Sequence, residues 1–414
     1  MTVFFLLLSF LGCSGTVPET VKEIPVVVEE RMDSASEEVV DDMESPLPQS
    51  DRESAKKGNS DSIPVPQPAE MSLGLQPYRV PVPSWMTPPP VPQDNPLTHA
   101  GVALGRHLFY DPMLSGNNTQ SCASCHQQRF SFTDGKRVSV GSEGREVDRN
   151  AMALVNLAWT APYFWDGRIK TLEELVPIPI ADPDELNQDL DALVEELSGH
   201  PDYSRWFELA FPTEGLTKET ISKAIAQFLR TLVSFNSRAD QLNAGLISLT
   251  PLEQRGNQLM IDGFPKGSVD AVPDLCDKCH LHSAGVRDGG QDMGLFTDSS
   301  FKSNGLAVTN SDIGRQKVTG LEEDRGRFIV PTIRNLTVTA PYMHDGRLKT
   351  IEDVVSHYAE GIRNSPQLES PLSIGGKAIR MKLDESDKKA IVAIMAIFTD
   401  EGFLTNPAFS NPHD

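Results

Sequence analysis

Two short segments carry residues whose types and spacing define a chemistry: Cys122-Ala-Ser-Cys125-His126 and Cys276-Asp-Lys-Cys279-His280. Two thiols separated by two residues can add to the two vinyl groups of one porphyrin. The adjacent histidine then lies under the iron as its proximal ligand. A lone Cys-x-x-Cys pair is ambiguous, because zinc sites and redox dithiols also use it. Here each pair is followed by His, and only Cys13 remains of the 5 cysteines, too few to complete a zinc site or add a disulfide. The motifs therefore predict two covalently attached c-type haems, their irons held by His126 and His280.

The opposite face of each iron decides its use. An iron closed by a second protein ligand passes electrons, whereas one with a vacant face can meet peroxide or a gas. An internal repeat bears on this. Asn156–Val176 reads NLAWTAPYFWDGRIKTLEELV and Asn335–Val355 reads NLTVTAPYMHDGRLKTIEDVV, identical at 13 of 21 positions at a constant offset of 179. In the second copy Thr350 starts a helical pattern with Ile351, Val354, Val355 and Tyr358 on one face. Tyr358 is aimed inward and His357 lies about 100° round the helix. A tyrosine on such a face reads as core more readily than as an iron ligand. The repeat places Pro179 opposite Tyr358, and proline has no atom that binds iron. Haem 1 is thus the better candidate for an open iron.

Helices must position these groups. The pattern Thr98–Phe109 precedes the first motif, and its fragment Gly105-Arg-His-Leu-Phe109 is echoed by Gly256-Asn-Gln-Leu-Met260 before the second. Each half then closes with an amphipathic helix. Thr217 caps one with Ile221, Ile225, Phe228, Leu229 and Leu232 on one face, and Ser386 caps Asp387–Phe398. Strand patterns are nearly absent. The expected fold is mainly α, two cytochrome c-like haem domains related by internal duplication at about 75–240 and 241–405.

A disordered acidic Pro/Ser-rich tether, residues 17–74, precedes them. Thr16–Ser72 holds 14 acidic and 5 basic residues and no aromatic one, and such a segment cannot bury enough apolar surface to offset its ordering entropy. Residues 1–16 read as a signal or lipoprotein segment. The apolar run Val3–Leu8 ends at Leu11-Gly12-Cys13, so Cys13 is a lipid-anchor candidate, with a plain signal peptide as the alternative. Either way the protein is expected in the periplasm, where c-type haem is attached. The net charge of −21 argues against nucleic acid as a partner, since phosphate binding needs a basic face.

At this point a family likeness is legible. GRHLFYDPMLSGNNTQSCASCH, Arg149-Asn150, Phe164–Arg168 and Ala340–Gly346 resemble the bacterial di-haem cytochrome c peroxidase and MauG family, in the expected order through about Leu97–Phe398. The resemblance implies two haem domains facing each other with one Ca²⁺ between them, contacted by Asn150, Thr339 and Pro341. It implies that Trp165 relays electrons between the haems, and that Glu185 is the distal acid–base carboxylate. On its own, Glu185 is one acid of the loop Asp182–Glu185, readable as a helix N-terminal charge.

Two places depart from the peroxidase pattern. The resemblance puts Ser142 where a peroxidase keeps the histidine that closes haem 1 at rest, and Tyr358 where it keeps a methionine on haem 2. Tyr358 as an iron ligand is the MauG-like arrangement. His99 and His107 are the nearest unassigned histidines that could close haem 1, and Met343 and His344 the next candidates for haem 2. Three functions are weighed. One is reduction of hydrogen peroxide with electrons from a small cytochrome c or cupredoxin. Another is peroxide-dependent oxidation of residues on a partner protein. The third is electron carriage without catalysis, for which both irons would be closed. A homodimer is retained as an assembly.

Overall fold

Two helix crossings organise the chain, and glycine makes both of them close. The helix His99–Tyr110, capped by the Thr98 side chain, lies on Lys218–Thr231, capped by Thr217. A Cβ on Gly105 would stand 1.9 Å from the Ala224 carbonyl oxygen. In the second half Pro251–Ile261 crosses Glu385–Met395 in the same way, and a Cβ on Gly256 would stand 2.0 Å from the Ala390 carbonyl oxygen. These contacts are with main chain, so no side chain can turn aside. Gly105→Ala gains about 1 kcal/mol of helix propensity, but the clash forces the helices apart at a typical cost of about 1–3 kcal/mol or more. Its thermal midpoint is expected several degrees below that of the parent in calorimetry; a midpoint at or above the parent's would show that the crossing yields freely.

This computed structural model describes residues 69–261, 276–280, 294–309 and 311–413. The signal segment, Cys13 and all but the end of the tether lie outside the described residues. The described chain is mainly helical, with two antiparallel two-stranded ladders, Phe301–Lys302 with Phe328–Ile329 and Ser373–Ile374 with Lys377–Ala378. No described helix is long and apolar enough to cross a membrane.

Pro64–Asp414 form one unit with separate apolar cores. The first gathers Leu104, Leu108, Phe109, Phe132, Phe207 and Phe228, and Phe403 and Phe409 from the end of the chain complete it. The second and third lie in the other half, around Leu259, Ile362 and Ile391 and around Met260, Phe296 and Phe398. Polar groups tie the halves together. Arg149 donates to Asp166 at 2.7 Å and to Asp312 at 2.7 and 3.0 Å, and the Asn150 N–H donates to the His344 carbonyl at 2.8 Å.

Two local expectations are corrected. The last long helix starts at Glu385, not Asp387, because the Asp384 carboxylate and not Ser386 caps it, accepting from the Asp387 N–H at 2.8 Å. The helix from Thr350 runs only Ile351–Ser356 and gives way to a π-helical turn, His357–Gly361. The wider turn carries His357 inward as well. It is 8 % exposed, and its ring meets that of Tyr358 at 5.1 Å.

Candidate active site

The two Cys-x-x-Cys-His segments open onto one cavity of about 890 Å³, mostly apolar in its walls. Cys122, Cys125 and His126 line it from one half and Cys276, Cys279 and His280 from the other. None of the four sulfurs is in a disulfide. Burial pushes the Cys122 thiol up to about 12 and the Cys279 thiol up to about 11.

Local structure fixes the first proximal histidine. The Ser124 hydroxyl accepts from the Ser121 N–H at 3.0 Å, and the His126 N–H closes the turn on the Cys122 carbonyl at 2.9 Å. His126 Nδ1 lies 2.7 Å from the Phe132 carbonyl oxygen. A carbonyl only accepts, so Nδ1 carries the proton and Nε2 keeps its lone pair. Burial lowers the His126 pKa, which holds the ring in the neutral form that binds metal. The carbonyl is presented by Ser131 and Phe132, both left-handed at φ 52° and 61°. Such strain persists only where the surroundings impose it; one restraint is the Asn335 amide, which donates to the Ser131 hydroxyl at 3.1 Å. In the second segment the His280 N–H bonds the Cys276 carbonyl at 2.8 Å.

The groups expected around the two haems, as distal residues, relay and calcium contacts, reach the same cavity. Glu185, Pro179, Trp165, Tyr358, Asn150, Thr339 and Pro341 all line it. Glu185 stands in a turn and not at a helix start, its N–H bonded to the Asp182 carbonyl at 3.0 Å. Burial, then the charges of Asp182 and Asp184, raise its pKa to about 7 against the pull of Arg168. Its charge acts on both thiols of the first motif. Ser142 is spent elsewhere. Its hydroxyl donates to the Leu186 carbonyl at 3.0 Å and its N–H to the Glu185 carbonyl at 2.8 Å, so it braces the turn that carries Glu185. Neither His99 nor His107 is on the cavity wall; His107 is buried against Trp206 and His413.

Trp165 touches both halves. Its indole N–H donates to the Asn150 carbonyl at 2.9 Å, and its own carbonyl accepts from the Ile329 N–H at 2.9 Å. The Asn150 amide nitrogen donates to the Lys136 and Arg137 carbonyls at 2.9 and 3.2 Å. Tyr358 lines the wall near Cys276 and Cys279; burial pushes its phenol up to about 12, and the nearby Asn304 side chain opposes that shift. His344 is 8 % exposed and stacked on Phe328 at 3.7 Å, neutral because burial lowers it to about 4. Asn304, Phe328 and Arg334 also line the cavity. They stand in no motif, and the fold alone brings them there.

Two pairs of thiols, each followed by a histidine, on one apolar cavity make a donor set that fits two c-type haems. That defines the class: a di-haem c-type protein with a half-buried carboxyl on the cavity wall. The family model for di-haem cytochrome c peroxidase matches residues 99–246. The chain is 33 % identical over 309 residues to the methylamine utilization protein MauG of Methylorubrum extorquens, covering 74 % of this chain and 80 % of that one. It is 36 % identical over 253 residues to cytochrome c551 peroxidase of Nitrosomonas europaea, covering 61 % and 70 %. Among solved structures, a MauG-like protein associated with microbial copper homeostasis matches with a TM-score of 0.70 and 34 % identity, covering 81 % of this chain and all of that one. The chain belongs to the di-haem cytochrome c peroxidase and MauG family. It is a peroxide-using oxidoreductase, and its cofactors are c-type haems.

Proposed function

We propose that the chain reduces hydrogen peroxide at the haem held by His126, drawing electrons through the haem held by His280 from a small cytochrome c or cupredoxin. The supporting observation is Glu185, a carboxyl of raised pKa on the wall beside the first motif. When bound, the haem iron supplies the redox centre for oxygen–oxygen cleavage. Glu185 takes a proton from one peroxide oxygen and returns it to the other, a role that needs a pKa near the working pH. Pro179 keeps the wall free of a competing ligand, Trp165 relays electrons between the halves, and Tyr358 closes the second iron. Asn150, Thr339 and Pro341 supply oxygen donors to one Ca²⁺. The amide nitrogen of Asn150 is occupied by two carbonyls, which leaves Oδ1 for a hard cation.

In the same reading the halves at 75–240 and 241–405 descend from one duplicated unit. The matching loops support this: Asn156 and Asn335 are both left-handed, at φ 55° and 58°, and Tyr163 pairs with Ile169 as Tyr342 pairs with Leu348. The enzyme works in the periplasm, tethered through Cys13.

Tyr358 favours a second reading, the oxidation of residues on a partner protein, because an anionic phenolate ligand stabilises oxidised haem. Turnover separates the two. Peroxide and a reduced small c-type cytochrome, mixed with the di-haem protein, are expected to disappear in step. Peroxide loss with no cytochrome oxidation would overturn the donor assignment and favour the partner-protein reading.

A further inference from the structure

Tyr358 and Met343 are among the side chains on the cavity wall that could bind the second iron. A thioether is a good ligand for haem iron and gives it a higher potential than an anionic ligand does. Something must keep Met343 from the metal, and the repeat shows why the need arises in one half only. Its counterpart Phe164 has no donor atom, and its ring is covered by the Arg168 guanidinium at 3.6 Å.

Asn304 contacts every part of this choice. Its amide donates to the Met343 sulfur at 3.2 Å, and the same side chain lies close enough to the Tyr358 phenol to act on its charge. Its carbonyl accepts from His357 Nε2 at 3.1 Å, which pins the π-helical turn just before Tyr358. The neighbouring residue pins it just after. The Gly305 carbonyl accepts from the Arg363 N–H at 2.7 Å, and a Cβ on Gly305 would meet Ile362 Cγ2 at 2.6 Å. π-Turns concentrate at functional sites because the extra residue re-aims a side chain. Here the re-aimed residue is His357, and the contacts of residues 304 and 305 hold the turn on which Tyr358 stands. The backbone of Met343 is itself left-handed, at φ 77°, so its position too is imposed from outside.

We infer that Asn304 is the positioning residue that selects Tyr358, and not Met343, as the sixth ligand of the second haem. The inference rests on the reading of Tyr358 as an iron ligand. Removing the amide frees the thioether and loosens the phenol while leaving both main-chain contacts in place, so the π-turn survives.

The test compares optical spectra, electron paramagnetic resonance and midpoint potentials of the di-haem protein with those of N304A, N304A/M343L and Y358F. With two haems per chain retained, N304A is expected to gain the red-edge absorption of a sulfur–ferric iron bond and to shift one potential upward. N304A/M343L is expected to lose that band. N304S removes the same amide and replaces N304A in the comparison where the alanine variant does not fold. If Y358F alters the second haem and N304A leaves it as in the parent, the role of Asn304 is overturned and the Tyr358 reading stands. Loss of the phenolate signature in N304A without a sulfur band overturns the selection against Met343. An unaltered Y358F spectrum overturns ligation by Tyr358, and the inference with it.

Discussion

Glu185→Gln is expected to slow the reaction with hydrogen peroxide by about 10²–10⁴-fold, the usual contribution of a positioned general acid–base group. Gln keeps the shape and loses the proton. The pH profile carries a second expectation. With its pKa raised to about 7 by burial and two neighbouring aspartates, Glu185 is the proton-accepting carboxylate only above that pH. The parent rate constant therefore rises with pH up to about 7 and then levels, and E185Q lacks this inflection. Stability moves the other way. The folded pKa lies above the unfolded carboxylate value, so ionisation penalises the fold increasingly as pH rises through this window. Gln escapes the penalty, and the variant should melt no lower than the parent above pH 7. Stopped-flow mixing across pH, with thermal melts at each, checks both. A parent-like rate and inflection in E185Q would remove Glu185 from the chemistry.

Much of this site was legible in the sequence because its chemistry is local. Each Cys-x-x-Cys-His fits within one turn, and Thr98, Thr217 and Thr350 cap the expected helices by short-range bonds. Pro179 and Tyr358 could be compared because the repeat runs without a gap. What stayed hidden depends on contacts distant in sequence. A constant period of 3.6 along the Thr350 helix sends His357 outward. The π-turn that brings it in is stabilised by the carbonyl of Asn304, 53 residues away. The pull of Asp384 over Ser386 is a contest between adjacent cap residues that pattern alone does not decide. Glu185 illustrates the middle ground. The resemblance points to the residue, but its raised pKa follows from burial that only the folded wall supplies.

The largest qualitative effect is expected in the resting enzyme: the oxidised protein should react with hydrogen peroxide without prior reduction. The argument turns on which side chains can reach the first iron. Ser142, at the place of a closing histidine, has its hydroxyl committed to the Leu186 carbonyl and is not on the cavity wall. Pro179, at the repeat position of Tyr358, is on the wall and has no donor. His107 is held between Trp206 and His413, and neither it nor His99 lines the cavity. On that wall Glu185 stands with Asp182, Asp184 and Arg168, and as the carboxyl whose pKa is raised to about 7 it serves as the proton carrier. Wild-type protein oxidised with ferricyanide and desalted should therefore bleach its haem absorption on mixing with peroxide as fast as protein first reduced by one electron, within a few-fold. Introducing the histidine, Ser142→His, also removes the hydroxyl that braces the turn carrying Glu185, so it should slow both forms, the oxidised one more. If the oxidised wild type is instead inert until an electron is added, a protein ligand closes the first iron (Met152 is on the wall), and the enzyme needs reductive activation.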